Sequence, residues 1–205
     1  NYNTAVGVGA LYYNSSATNT AAIGYQAARG STYYSNQNGV YLGYNAGYSA
    51  ATDSDNNTMI GYQSGYGVTS GANNILLGYQ AGNALTTGSN NLAIGYDVDL
   101  PSNTGSNQLT IGNLIFGTEL DGTGTDVSTG NIGIATNTPW ARLSVEGDGT
   151  DPAFVVSDSD DNVDFIVDAN GDIQMYNNAT TTGFSYIGRD LTVNGQASFA
   201  SAALT

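Results

Sequence analysis

Seven times within its first 117 residues the chain repeats a short apolar phrase that ends in glycine, and in five of the seven a tyrosine follows. The glycines are Gly7, Gly24, Gly43, Gly61, Gly78, Gly95 and Gly112, at steps of 17, 19, 18, 17, 17 and 17 residues. A period this short and regular belongs to stacked coils, in which each turn of chain finishes its packing against the next. Function is therefore to be sought along a rod rather than in a central pocket.

Side chains alternate across a strand with a period of two. In Leu92-Ala93-Ile94-Gly95-Tyr96 one face carries Leu92, Ile94 and Tyr96, and the other Ala93 and Gly95. The same sorting holds in each copy. The middle position runs Val6, Ile23, Leu42, Ile60, Leu77, Ile94 and Ile111, and the position after the glycine runs Val8, Tyr25, Tyr44, Tyr62, Tyr79, Tyr96 and Asn113. Aliphatic, often β-branched residues suit a buried strand position, so this row is expected to be the buried one and the tyrosines to form a packing ladder. Were the rings instead to point outward, they would be the first candidates for stacking on sugar.

Polar stretches ending in Asn56-Asn57, Asn73-Asn74 and Asn90-Asn91 precede the phrases, and Asn45-Ala46-Gly47, Gln63-Ser64-Gly65 and Gln80-Ala81-Gly82 follow them. Glycine and asparagine supply the positive φ of tight corners. One coil is expected to comprise two short strands and two corners. With only about three large apolar side chains per coil, burial falls short of the cost of ordering the backbone. Neighbouring chains are expected to complete the core, with close approach along the glycine face.

The AIGYQAG-type phrase with its Asn-Asn lead resembles the head repeats of trimeric autotransporter adhesins and the related repeats of phage tail fibres. Those repeats are usually shorter and lack the regular tyrosine. The resemblance covers residues 1–117 and implies three chains wound as parallel β-rolls about a common axis. A second phrase, TGNIGIATNTPWARLSVEG at 129–147, is similar to the module that precedes C-terminal chaperone domains of the endosialidase type in fibre proteins. It departs at the corner residue Ala135, where that module has glycine.

Charge divides the chain. Residues 1–117 hold four acids, Asp53, Asp55, Asp97 and Asp99, and thirteen follow from Glu119 onward. Residues 118–128 form a polar connector, and 129–205 an acidic β region. There Ala153–Val156 and Val163–Val167 are strand-like, Asn170-Gly171 signals a hairpin leading into Ile173–Tyr176, and Asn194-Gly195 signals another. The expected fold is all-β: a short-period parallel β-solenoid, trimeric by resemblance, followed by a small antiparallel region.

Composition narrows the chemistry. Cysteine and histidine are absent, which removes thiol redox chemistry, disulfides, the usual zinc ligands and the commonest acid-base side chain near neutral pH. A formal charge of −14, with Arg29, Arg142 and Arg189 as the only cations, argues against nucleic acid and anionic membranes as partners. No apolar run approaches the roughly 20 residues of a membrane-spanning helix. The abrupt ending suggests a piece of a longer protein.

Asp168, Asn170 and Asp172 have the alternating oxygens of a calcium loop at a glycine turn, although a plain hairpin turn explains them as well. Asp158, Asp160 and Asp161 are a weaker candidate of the same kind. The pairs Asp97/Asp99 and Asp53/Asp55 could serve a polysaccharide depolymerase, but solvated corners explain them more simply. An ice-binding array fails because Thr18, Thr52, Thr69, Thr86 and Thr104 stand singly in variable corners. The expectation is a non-enzymatic structural and adhesive fibre segment, a homotrimer in a cell-surface or virion shaft, with no cofactor beyond a candidate Ca2+ and with surface glycans as candidate partners. A depolymerase and a filament that self-assembles end to end are the alternatives.

Overall fold

The computed structural model describes residues 2–30, 35–157, 163–171 and 173–175. Among them each repeat phrase forms one three-residue strand: β1 Thr4–Val6, β2 Ala21–Ile23, β3 Val40–Leu42, β4 Thr58–Ile60, β5 Ile75–Leu77, β6 Leu92–Ile94 and β7 Leu109–Ile111. Successive strands pair in parallel and in strict register, with Val6, Ile23, Leu42, Ile60, Leu77, Ile94 and Ile111 side by side. The result is a parallel β-solenoid of about six turns with no helix among the described residues.

One strand per coil replaces the expected two. The Gln-Ala-Gly arm cannot extend because it contains left-handed residues, Gln63 at φ 51° and Gly65 at φ 59° in one coil and Gln80 at 52° and Gly82 at 60° in the next. The arm still bonds from coil to coil: Gly65 N–H donates to Ala81 O at 2.9 Å, Gln80 N–H to Tyr62 O at 2.8 Å and Thr69 N–H to Thr86 O at 2.8 Å. Backbone groups of the arm as well as of the strand thereby find partners in the adjacent turn.

The interior is the face opposite to the one expected. Ala22, Tyr41, Met59, Leu76, Ala93 and Thr110 point inward and are at most 1% exposed, and Val68, Leu85 and Val98 pack with them. The uniformly large row lies outside, with Val6 at 55%, Ile23 at 43%, Ile60 at 37% and Ile111 at 36% exposure. A 17-residue coil encloses little volume, and the inward row fits because its sizes are compensated across the coil. A Cβ on Gly47, Gly65 or Gly82 would collide with the inward side chain of its own coil, Tyr41, Met59 or Leu76 respectively. Where the inward residue is only Ala22, the position six residues on is Ala28, held at φ 48°.

The recurring glycines do mark a close approach, but between coils of one chain. Gly7, Gly24, Gly43, Gly61 and Gly78 have φ between 132° and 140°. A Cβ on any of them would sit 2.6–2.8 Å from the carbonyl carbon of the glycine in the next coil. They stack backbone on backbone, which leaves the aliphatic row as the face open to other molecules.

Two amide ladders hold the opposite corner. The exposed ladder runs through Asn19, Asn38, Asn56, Asn73, Asn90 and Asn107, each Nδ2 donating to the next Oδ1 at 3.0–3.2 Å. These asparagines adopt φ of 56–60°, a left-handed conformation their amide tolerates. The buried ladder uses the following residue: Asn57 Oδ1 accepts from Asn74 N–H at 2.8 Å, Asn74 Oδ1 from Asn91 N–H at 3.0 Å, and Asn91 Oδ1 from Gln108 N–H at 2.9 Å. Each buried asparagine also donates to the next coil, to the Gly71, Gly88 and Gly105 carbonyls at 2.8–3.0 Å.

The seventh phrase keeps its strand but ends the winding. Gly112 (φ 58°) and Asn113 (φ 54°) form a tight reversal, closed by Leu114 N–H to Ile111 O at 3.1 Å. Strand β8 (Ile115–Gly117) then runs antiparallel to β7. Strand β9 (Ile132–Ile134) is antiparallel to β8, and β10 (Leu143–Val145) is parallel to β9, so one ten-stranded sheet continues through Val145. Ala135 keeps the corner at φ 59° despite its Cβ. The connector is tied down by Asp121, whose two carboxylate oxygens accept from Thr129 N–H and Oγ1–H at 2.7 Å each. Beyond lies a three-stranded antiparallel sheet of β11 (Phe154–Ser157), β12 (Val163–Val167) and β13 (Ile173–Met175). The hairpin expected at Asn194-Gly195 falls outside the described residues.

Candidate functional site

The outward face of the solenoid carries the aliphatic row and, beside it, Tyr25, Tyr44, Tyr62, Tyr79 and Tyr96. Their rings stack at centroid spacings of 4.9–5.3 Å with planes within 15° of parallel. The first four are 40–45% exposed and Tyr96 is 75% exposed. The tyrosines are thus both a ladder and an outward strip. Stacking covers the π faces of the inner rings, so only their edges and hydroxyls meet solvent, and a sugar could lie flat only on an end ring, of which Tyr96 is the more exposed. Within the ladder the Tyr79 hydroxyl titrates above the usual tyrosine range, first through desolvation and then through Tyr96, Tyr62 and Asp97.

A second, shorter stack was not foreseen. Tyr48 and Tyr66 lie 4.9 Å apart at 4°. The Arg29 guanidinium lies 5.2 Å from the Tyr48 ring and 4.9 Å from the Tyr13 ring, and it donates to the Tyr48 hydroxyl at 2.9 Å. The signal in the sequence was a second Gly-Tyr step, Gly47-Tyr48 and Gly65-Tyr66, at the same period.

The carboxylate pairs sit in corners. Asp97 takes the left-handed position (φ 51°) that glutamine fills in other coils, and buried Val98 separates it from Asp99. Asp99 Oδ1 accepts weakly from Ala84 N–H at 3.3 Å. Asp53 is itself a corner at φ 72°, and Asp55 Oδ1 accepts from Gln37 N–H at 2.8 Å. Neither pair stands on a strand, as the depolymerase reading required.

Of the calcium candidates, Asp168 and Asn170 are described and Asp172 is not. Asp168 Oδ1 accepts from Asn170 N–H at 2.9 Å while its carbonyl accepts from Gly171 N–H at 3.0 Å, the bonding of a hairpin turn between β12 and β13. Asp158, Asp160 and Asp161 also lie outside the described residues. Among the described residues no three carboxylates gather as a metal site would need.

Two concavities lie in the acidic region around Trp140, which is 88% exposed. One cavity of about 360 Å³ is lined by Trp140, Leu143, Phe154 and Val167 among others, and a second of about 370 Å³ by Trp140, Thr136, Thr138 and Glu146 among others. The loop that carries the indole is fixed by Ser144 Oγ, which accepts from both Trp140 N–H and Ala141 N–H at 3.1 Å. Comparison with known protein families, with curated proteins and with solved structures finds no match.

Proposed function

We propose that the chain is a segment of a non-enzymatic, adhesive extracellular or virion fibre, in which three parallel copies pack through the outward aliphatic row. The observation that carries this reading is the apolar strip along the winding. Val6, Ile23, Ile60 and Ile111 keep 36–55% of their surface exposed, and Leu42, Leu77 and Ile94 between them are half-buried, so the row reaches the surface in every coil beside a tyrosine ladder. Periodic apolar surface on this scale marks an interface, and a strip that repeats with the coil is best met by another strip of the same period. The repeat resemblance points the same way. A shaft so built would present or contact a cell surface.

The natural chain lacks cysteine, so a single Ile60→Cys chain tests the packing. Oxidative cross-linking is expected to yield covalent dimers far faster than a Thr52→Cys control in an exposed corner. Equal rates at the two positions would remove the aliphatic row from the interface.

A further inference from the structure

We propose that Trp140 is the platform of a glycan site that takes a neutral oligosaccharide. The proposal rests on the adhesive role argued above and gives it a place and a ligand class. Sugars present an apolar C–H face and a rim of hydroxyls, and they are held by an uncovered aromatic face beside convergent polar groups. Trp140 meets both requirements. Its ring is the only indole of the chain, stands 88% exposed and stacks on no other ring among the described residues. Despite that exposure its backbone is pinned, by Ser144 Oγ on one side and by Asn131 Nδ2–H donating to Pro139 O at 3.1 Å on the other. Little ordering would remain to be done on binding.

The two cavities meeting at the indole differ in chemistry. Leu143 and Phe154 give the first an apolar wall, whereas Thr136, Thr138 and Glu146 line the second. The Glu146 carboxylate is exposed and has no hydrogen-bond partner or ion pair among the described residues, so it is free to accept from vicinal hydroxyls. An apolar peptide would use the first cavity and leave the second idle. The charge of the surroundings selects among sugars. Glu146 lines the second cavity, and Glu146, Asp148 and Asp151 line a neighbouring one, so the described surroundings would repel uronic or sialylated glycans.

The sole tryptophan makes the test direct. Emission and acrylamide quenching of the full chain are titrated with cellohexaose, maltohexaose and mannohexaose, with oligogalacturonate as the anionic control, while native mass is recorded on the same sample. At least one neutral hexaose is expected to give a saturable blue shift and reduced quenching. By calorimetry its affinity should fall about tenfold or more in Trp140→Ala and severalfold in Glu146→Gln, with Tyr96→Ala unchanged. Absence of a shift with all three neutral sugars would overturn the site, as would equal binding of oligogalacturonate. An indole already shielded from acrylamide in sugar-free trimer would also overturn it, by making a second copy the occupant. Failure of binding with the trimer mass intact would sink the site alone, and loss of the trimer would sink the fibre reading instead.

Discussion

Replacing Gly61 by alanine should cost far more than the same change at Gly112, although both close the same sequence phrase. Gly61 sits at φ 134°, a region essentially reserved for glycine, where a side chain costs about 1–3 kcal/mol. Its new Cβ would lie 2.6 Å from the carbonyl carbon of Gly78, and closer to the oxygen. Backbone on both sides leaves no flexible group to yield, so relief means parting two coils. Parting them strains the Gly78 N–H to Ile60 O and Gln80 N–H to Tyr62 O bonds, both 2.8 Å, at about 1 kcal/mol each. The total is about 3–5 kcal/mol. Gly112 by contrast has φ 58° and nothing within 4 Å of an added Cβ, so alanine there costs about 1–2 kcal/mol. The reverse arm is Ala135→Gly, which removes a Cβ from φ 59° and should stabilise by up to about 1 kcal/mol. Urea unfolding followed by circular dichroism reads all three. At a slope of about 2 kcal/mol/M the Gly61 midpoint should fall by about 1.5–2.5 M. Equal shifts for Gly61→Ala and Gly112→Ala would refute the backbone-on-backbone account of the repeat.

Size compensation inside a coil predicts coupling: Leu76→Ala should cost about 2–5 kcal/mol, yet in that background Gly82→Ala should be markedly milder than alone, because the Cβ would otherwise lie 2.7 Å from Leu76 Cδ2; additive costs in a double-mutant cycle would contradict it. Burial pushes the Tyr41 hydroxyl up to about 12, against the hydrogen bond from Asn36 that favours ionisation. A raised folded value means stability that is complete below the unfolded tyrosine value and is lost as pH rises toward 12. A spectrophotometric titration should therefore show Tyr41 ionising together with unfolding, and a Tyr41→Phe chain should lack that contribution. Asp121 is held below the usual carboxylate range, first by the Thr129 N–H and hydroxyl and to a smaller degree by Arg142. Its contribution is present above the unfolded value and lost as pH falls through the folded one, so NMR titration should find the 121–129 contacts releasing in acid and Asp121→Asn should flatten that transition.

The solenoid was legible because glycine and asparagine mark each coil's corners at a fixed step. Which strand face turns inward was not, since period-two alternation assigns two faces without saying which is enclosed. The deciding signal lay six residues downstream, in Gly47, Gly65 and Gly82 opposite Tyr41, Met59 and Leu76, with Ala28 opposite Ala22. The end of the winding was also written in the sequence: after Gly112 no Gln-Ala-Gly arm follows, and Leu114–Phe116 begins a second apolar run with no room for a corner. The carboxylate pairs are the solvated corners that spacing alone already favoured, with left-handed φ at Asp97 and Asp53. Trp140 stood out only as part of a phrase, since exposure on a pinned loop depends on bonds from Ser144 and Asn131 that no spacing announces.

Measuring the mass of the intact chain in solution by light scattering tests the central claim most directly, because the outward aliphatic row stays partly exposed in a single chain. Three times the 21.1 kDa chain mass, held across dilution, is the predicted result. A stable 21.1 kDa species at every concentration would contradict it.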